Sequence, residues 1–283
     1  MPRFRIGCSG WTYPHWAGPF YPADLAERDW FPFYAKAFNT VEVNATFYRF
    51  PTEAMVQAWA RKGPPGFLFT LKAFRGITHL RKFRNTEALV RRFYAVATKL
   101  GDKLGGVLFQ LPPTLRFDRD LLRRVVDQLD PRYPTTLEFR HRTWFVEDVV
   151  HRLRERGIAM CIVSAPDLPE FVVATANHAF VRFHGRDRWY AYRYAEEELH
   201  EWAERLRGLP VDTVFAYFNN DAYGWAPQNA RRLVELLGEG PSPRRDHGGR
   251  GGQEADQGHG EGIGGRVERT EVGEPPGGSA HRG

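Results

Sequence analysis

Short apolar runs alternate with amphipathic stretches along the first 237 residues of the chain. The runs have the β-rich composition of strands, whereas the stretches repeat their apolar positions with a helical period. The runs predict strands over residues 4–9, 40–44, 67–72, 106–110, 135–138, 158–164, 178–184 and 213–219. The stretches predict helices over residues 25–37, 52–62, 86–100, 119–129, 146–156, 196–206 and 228–237, with a weaker helix over 167–175.

Eight strands that alternate with helices at the spacing of a βα unit predict an α/β fold, a single-domain (β/α)8 TIM barrel over residues 1–237. An open doubly wound sheet is the alternative, but no glycine-rich dinucleotide loop follows the first strand. Most predicted strands are apolar at the start and polar at their last positions. Because alternate residues of barrel strands point inward and active sites lie at the C-terminal ends, we expect these polar groups to meet in one mouth.

The largest concentration of such groups is TTLEFRHRTW, residues 135–144, which begins as a strand and ends with Glu138, Arg140 and His141. A carboxylate and a guanidinium on one face of a buried strand are costly unless they are paired or used. Further polar residues at strand ends are predicted to line the same mouth: Glu42, Asn44, Lys72, Gln110, Arg182, His184 and Asn219.

Glu42 and Glu138 are the only carboxylates at predicted strand ends, and as a pair they can act as general acid and base. The alternative is an architectural network in which Glu138 stays ionised and pairs with Arg140 or Arg182. His184 is the predicted second proton carrier. For Lys72 the candidate roles are an ion pair, a phosphate contact and, ranked lowest, Schiff-base chemistry.

Two loops combine basic and other functional side chains. Residues 73–85 contain four Arg or Lys side chains and His79, and they form either a solvated basic face or an anion-capturing loop. Residues 185–194, GRDRWYAYRY, interleave Arg186 and other arginines with aromatic residues. Such a loop can follow a nucleic-acid backbone and stack bases. It can equally fold over the barrel as a lid or pack against a neighbouring loop.

Candidate ligand contacts also follow the first and the last strand. Asn219 and Asn220 precede a helix whose start is indicated by Pro227, which is the usual phosphate position in such barrels. Their alternative role is capping and turn formation. Trp11 is the aromatic residue after the first strand that we expect to face a ligand, while its neighbours pack over the rim.

Charge is unevenly distributed along the chain, whose net charge is +6. Residues 238–283 hold 15 of the 28 glycines and almost no large apolar residue, so they are predicted to form a disordered tail. The tail has six Arg and eight Asp or Glu, which leaves 34 basic and 26 acidic groups in residues 1–237. A basic body favours anionic partners.

The two cysteines, Cys8 and Cys161, lack metal-type spacing, and the chain has neither a long apolar run nor a signal-peptide pattern at its N-terminus. We therefore predict a cytoplasmic protein with no membrane partner and no obligate protein partner. His79, His141 and His184 suggest a metal site, but the basic residues of the same mouth would repel a cation. No metal and no cofactor are predicted.

Several motifs occur in order from Gly7 to about Leu237: GCSGWTYPHWAGPFYP, NTVEVNATFYRFP, ITH, LGGVLFQLPP, LEFRHRTW, VRFHGR and YFNNDAYGWAPQNA. With these motifs the chain resembles the YecE-like family, the domain-of-unknown-function family numbered 72. The resemblance implies a TIM-type barrel and no particular reaction. Cys8 stands where Thr is common and Thr143 where Ser is common, and the glycine-rich tail has no counterpart in the family pattern.

The leading functional prediction is a metal-independent acid/base enzyme, hydrolase- or lyase-like, that acts on a phosphorylated or otherwise anionic substrate. Arg140, Arg182 and Lys72 would form its charge clamp. The alternative is a non-catalytic protein that binds nucleic acid or nucleotides through the basic and aromatic loops. A metal-dependent barrel of the endonuclease or sugar-isomerase type ranks below both.

Overall fold

The computed structural model of this chain describes residues 1–238, and eight parallel strands form its centre. The strands are β1 (Arg3–Cys8), β2 (Thr40–Val43), β3 (Leu68–Lys72), β4 (Leu104–Gln110), β5 (Thr135–Glu138), β6 (Ala159–Ser164), β7 (His178–Phe183) and β8 (Thr213–Phe218). Each lies within three residues of its predicted bounds. The predicted disordered tail, apart from Gly238, lies outside the described residues.

The strands follow one another around a nearly closed barrel, with hydrogen-bonded neighbours in the order β1-β8-β7-β6-β5-β4-β3-β2. All pairs are parallel, so every strand presents its C-terminal end to the same mouth. The register sets neighbours at that end: Gln110 lies beside Glu138, and Glu42 beside Thr70. The predicted TIM barrel is therefore confirmed.

Side chains join β1 to β2, where the described residues form no strand ladder. The Tyr34 hydroxyl accepts a hydrogen bond from the Cys8 amide at 2.7 Å and donates to the Thr40 carbonyl at 3.0 Å. Asn39 adds two bonds to β1, because its Oδ1 accepts from the Ile6 amide and its Nδ2 donates to the Phe4 carbonyl. Buried backbone groups at this seam are thereby satisfied without direct strand pairing.

Eight α-helices accompany the strands in the described part of the chain. They are α1 (Trp30–Ala37), α2 (Ala45–Tyr48), α3 (Glu53–Lys62), α4 (Glu87–Ala97), α5 (Arg119–Gln128), α6 (Glu147–Glu155), α7 (Glu196–Arg207) and α8 (Trp225–Leu237). Side chains cap the starts of α3 and α5, where Thr52 and Asp118 accept from the backbone amides of Met55 and Leu121. No helix among residues 1–238 is long and apolar enough to cross a membrane.

The weaker helix predicted over residues 167–175 is wrong, because this segment has turns and irregular backbone. Pro169 removes a backbone donor, and the valines and threonine that follow are poor helix formers. The Thr175 hydroxyl instead accepts from the Met160 amide and donates to the Ile158 carbonyl, both at 2.7 Å. These bonds attach the connection to the start of β6.

Candidate functional site at the barrel mouth

Arg182 lies at the centre of the mouth and joins two buried carboxylates. Its Nη1 donates to Glu138 Oε2 and its Nη2 to Glu42 Oε1, each at 2.6 Å. All three side chains are fully buried. They come from β7, β5 and β2, so the pairing spans the barrel. The network that was the alternative for Glu138 is therefore present, and it includes Glu42.

Arg140 extends this network by contacting Glu138 and His184. Its Nε donates to Glu138 Oε1, its Nη2 lies 2.9 Å from His184 Nε2, and its guanidinium stacks 4.6 Å from the centre of the Trp189 ring. Because a guanidinium has no acceptor, His184 Nε2 must accept and Nδ1 carries the proton. The side-chain amide of Asn219 lies 3.2 Å from Nδ1, and it accepts this proton when its Oδ1 rather than its Nδ2 is turned toward the ring.

These contacts decide the protonation of the buried groups. Burial favours the neutral form of Glu138, but Arg140 and Arg182 outweigh it and hold its pKa well below the usual range. Burial, Arg140 and Arg182 lower the pKa of His184 well below its ordinary value. Glu138 is therefore a permanent carboxylate and His184 a neutral imidazole near neutral pH. Neither has the intermediate pKa of an acid/base catalyst.

Lys72, at the end of β3, differs from Glu138 and His184 in its contacts and its pKa. Within residues 1–238 it forms no ion pair, because Glu42 and Glu138 bind the two arginines instead. Its ammonium lies 4.5 Å from the centre of the Phe47 ring. Burial, with Arg182 adding to it, lowers the pKa of Lys72 to about 7. An amine that exchanges its proton near neutral pH, at the end of a barrel strand, is suited to acid/base chemistry.

His79 reaches the same part of the mouth from the π-helical turn Gly76–Leu80. Its ring packs edge-on against Phe47 with centroids 4.9 Å apart, and its Nδ1 lies 2.8 Å from the Thr78 hydroxyl. Burial and nearby Lys72 lower the pKa of His79 to about 4. It is therefore neutral at physiological pH and offers hydrogen bonds rather than charge.

Other predicted mouth residues are placed as follows. Asn44 donates to the Ser9 carbonyl, and Gln110 is half-buried beside Glu138. Trp11 packs edge-on against Phe31, with centroids 5.3 Å apart. His141 caps the short turn Arg142–Trp144, where its Nδ1 accepts from the Thr143 amide. Ligand contacts by these side chains stay predictions.

In two of the residues predicted to bind a ligand, the side-chain donors already have acceptors within the protein. Asn220 is buried, and its Nδ2 donates to the Tyr192 carbonyl and to Asn229 Oδ1, both at 2.8 Å. Arg186 pairs with Glu198 at 3.0 Å and with Glu170 at 3.4 Å. The loop of residues 185–194 is thereby attached to α7 and its surroundings, which is the packing alternative for that loop.

A polar cluster that the sequence did not predict joins the β1 and β8 loops. Asp221 accepts from Trp16 Nε1 at 2.7 Å and lies 3.0 Å from His15 Nε2. Burial raises the pKa of Asp221 to about 6, although both partners oppose the shift. No local pattern indicates this cluster, because its members are about 200 residues apart in the chain.

The mouth does not assemble a metal-type ligand set from the described residues: within 1–238, no three His, Cys, Asp or Glu side chains converge in a way that could hold a metal ion. The two carboxylates that would be the hard ligands are bound to guanidinium groups. Absence of a metal requirement stays a prediction.

A family model described as a protein of unknown function, DUF72, matches residues 5–248. The chain belongs to the DUF72 family. The resemblance that the sequence motifs carried is thereby confirmed, and it covers the whole barrel.

Curated relatives and solved structures agree with this membership. UPF0759 protein YunF of Bacillus subtilis (strain 168) is 31% identical, over 82% of this chain and 94% of the relative. UPF0759 protein YecE of Escherichia coli (strain K12) is 27% identical, over 82% and 92%. The crystal structure of a DUF72 family protein from Thermotoga maritima MSB8 aligns with a TM-score of 0.75 at 28% identity, over 83% of this chain and 99% of that one. These matches show the family and the fold, and none of the names specifies a reaction.

Proposed function

We propose that this DUF72 protein is a metal-independent acid/base enzyme, hydrolase- or lyase-like, that acts on a small anionic substrate such as a phosphorylated metabolite. Lys72 is the proton-transferring residue of the proposal. The observation that carries it is the division of roles in the mouth. Both carboxylates bind guanidinium groups, and the buried Lys72 amine, which forms no ion pair within residues 1–238, has a pKa near 7.

These pairings change the roles that the sequence indicated for the residues of the mouth. Glu42 and Glu138 serve to hold Arg182 and Arg140 rather than to transfer protons, and His184 orients Arg140. Lys72, which was assigned to the charge clamp, becomes the acid/base group. Glu138 is then a positioning residue.

The charge of the mouth supports an anionic substrate. Two carboxylates offset two guanidinium groups, so protonated Lys72 is the charge that these five groups leave uncompensated. An anion that binds beside Lys72 favours the ammonium form and raises the pKa of this group. Substrate binding would thereby load the proton that Lys72 then donates.

Three buried polar atoms support a ligand at the same place. Glu42 Oε2, Asn44 Oδ1 and Arg182 Nε have no hydrogen-bond partner among the described residues. Buried polar atoms without a partner are few in native proteins. These three lie on residues of the mouth, where polar groups of a substrate would satisfy them.

The test is a screen of phosphorylated metabolites for turnover, followed by Lys72→Met. We expect kcat/KM to fall by about 10²–10⁴-fold, because a positioned proton donor typically contributes that much. The pH profile of the parent protein should show a limb near pH 7. Lys36→Met, which removes an exposed amine from α1, is the matched control and should leave turnover unchanged.

The protonation state of Lys72 is measured independently of any substrate. Mass-spectrometric labelling with an amine reagent across pH should give a midpoint near 7 for Lys72 in the folded protein, against about 10.4 in the unfolded chain. Full turnover in Lys72→Met, or a labelling midpoint above 9, would contradict the proposal. Borohydride trapping of a substrate on Lys72 would assign it the nucleophilic, Schiff-base role instead.

A further inference from the structure

One side of the mouth has several basic side chains and almost no acidic ones. Residues 72–85, which follow β3 at the mouth, have five Arg or Lys and no acidic residue, and the preceding segment from residue 43 has a single one, Glu53. Glu53 lies at the start of α3 and pairs with Lys99. The charge of residues 72–85 is therefore not offset by acidic residues in the same segment.

The loop that presents this charge is firmly attached. Residues 73–85 include the π-helical turn Gly76–Leu80, and Ile77 and Phe83 are fully buried beneath it. The Phe83 amide donates to the Ile77 carbonyl at 3.0 Å, and Gln128 Nε2 donates to the Phe83 carbonyl at 2.9 Å. Lys82, Phe83 and Asn85 have positive φ, which packing must hold in place and which is common at functional sites.

The basic side chains of this loop remain free for a partner. Within residues 1–238, Arg75, Arg81 and Arg84 are exposed and form no ion pair. Arg186, in the other loop that the sequence marked, is bound to Glu170 and Glu198. None of the four Arg or Lys of residues 73–85 pairs with a carboxylate, and this loop has no acidic residue. Residues 185–194 contain Asp187 and the paired Arg186, besides Arg188 and Arg193, which form no ion pair within residues 1–238.

Exposed apolar side chains lie on this loop and on α2, which contacts the loop through Phe47 and His79. Tyr48 on α2 is 68% exposed, and Leu80 at the end of the π-helical turn is 67% exposed. Phe47 links α2 to the loop, because its ring contacts the rings of Tyr48 and of His79, with centroids 5.1 and 4.9 Å apart. An exposed aromatic ring beside unpaired arginines can stack a base while the arginines hold phosphates.

We propose that Tyr48, Arg75, Arg81, Lys82 and Arg84, together called the basic rim, bind single-stranded nucleic acid. The arginines contact the phosphates and Tyr48 stacks an unpaired base, which a duplex does not offer. The rim adjoins Lys72 through Phe47. Binding by the rim does not require that Lys72 be catalytic, so it goes beyond the proposed function.

Fluorescence anisotropy with a short labelled single-stranded oligonucleotide, across a salt series, tests the rim. The triple variant Arg75→Ala, Arg81→Ala, Arg84→Ala should bind on the order of 100-fold more weakly at 0.1 M salt, with a salt slope reduced by about 2, since each phosphate contact contributes roughly 0.7 to the slope. The triple variant Arg3→Ala, Lys36→Ala, Arg231→Ala removes the same charge from other faces and should bind like the parent. Matching thermal melting curves show that both are folded.

Tyr48→Ala separates nucleic acid from a general polyanion. We expect it to weaken oligonucleotide binding on the order of 10-fold and to leave heparin binding unchanged, because only the oligonucleotide has bases to stack. No oligonucleotide binding at low salt, equal losses in the two triple variants, or no effect of Tyr48→Ala would overturn the proposal. Lys72→Met should retain oligonucleotide binding, so that failure of the rim and failure of the proposed catalysis are observed separately.

Discussion

Arg182→Met is expected to lower the free energy of unfolding by about 3–5 kcal/mol. The substitution removes the guanidinium that bonds Glu42 and Glu138 at 2.6 Å and leaves Glu42 without its ion pair at a fully buried position. Glu138 retains Arg140, so the larger part of the loss comes from Glu42. Equilibrium unfolding in urea measures the change.

Arg186→Met is the matched control, because Arg186 also has two carboxylate partners but is 40% exposed. Exposed ion pairs contribute about 0–1 kcal/mol, so this variant should stay close to the parent. Adding Glu42→Gln to Arg182→Met should recover part of the loss, since the buried charge is removed with its partner. A loss below 1 kcal/mol in Arg182→Met would show that the network contributes little to stability.

The outcome also bears on function. If Arg182 is as important for stability as its burial indicates, an Arg182 variant would lose turnover because it unfolds. Its loss of turnover would then say little about catalysis. Lys72 is the better probe, because it forms no ion pair within residues 1–238 and its charged form is disfavoured by burial. An Arg182 variant should therefore change the free energy of unfolding, whereas a Lys72 variant should change turnover and its pH profile.

Gly7→Ala is expected to lower the free energy of unfolding by about 3 kcal/mol or more. A Cβ at this position of β1 would lie 2.1 Å from the Thr40 carbonyl oxygen and 2.6 Å from the Tyr34 hydroxyl. The first of these atoms is backbone, so relief requires that β1 and β2 separate. The Tyr34 hydroxyl bonds that join the two strands would be strained at the same time.

Gly105→Ala provides the comparison for Gly7→Ala, because both are buried strand glycines without positive φ. At Gly105 the nearest atoms would lie 3.2 Å from the new Cβ, on the side chains of Leu68, Thr70 and Phe215. Side chains yield by a few tenths of an ångström, so we expect a loss below about 1.5 kcal/mol. Equal losses of unfolding free energy in the two variants would show that the β1–β2 seam tolerates an added Cβ as well as other strand positions do.

Strand ends were predictable from the sequence, because the residues that end a parallel strand must face the mouth whatever their neighbours are. Lys72, Glu138 and Arg182 lie where the apolar-to-polar change along each strand predicts them. The helix over residues 167–175 was the exception, since a single proline and β-branched residues outweighed a weak periodicity.

The sequence by itself determined the eight strands, their order around a barrel, the mouth and the family. Only the tertiary structure decided the partners: Arg182 lies 44 residues from Glu138 and 140 from Glu42, and no local pattern specifies which guanidinium a carboxylate meets. The pKa of Lys72 follows from its burial and from Arg182 nearby. Charge and proton affinity depend on burial and on distances between strands, and these exist only after the barrel has closed.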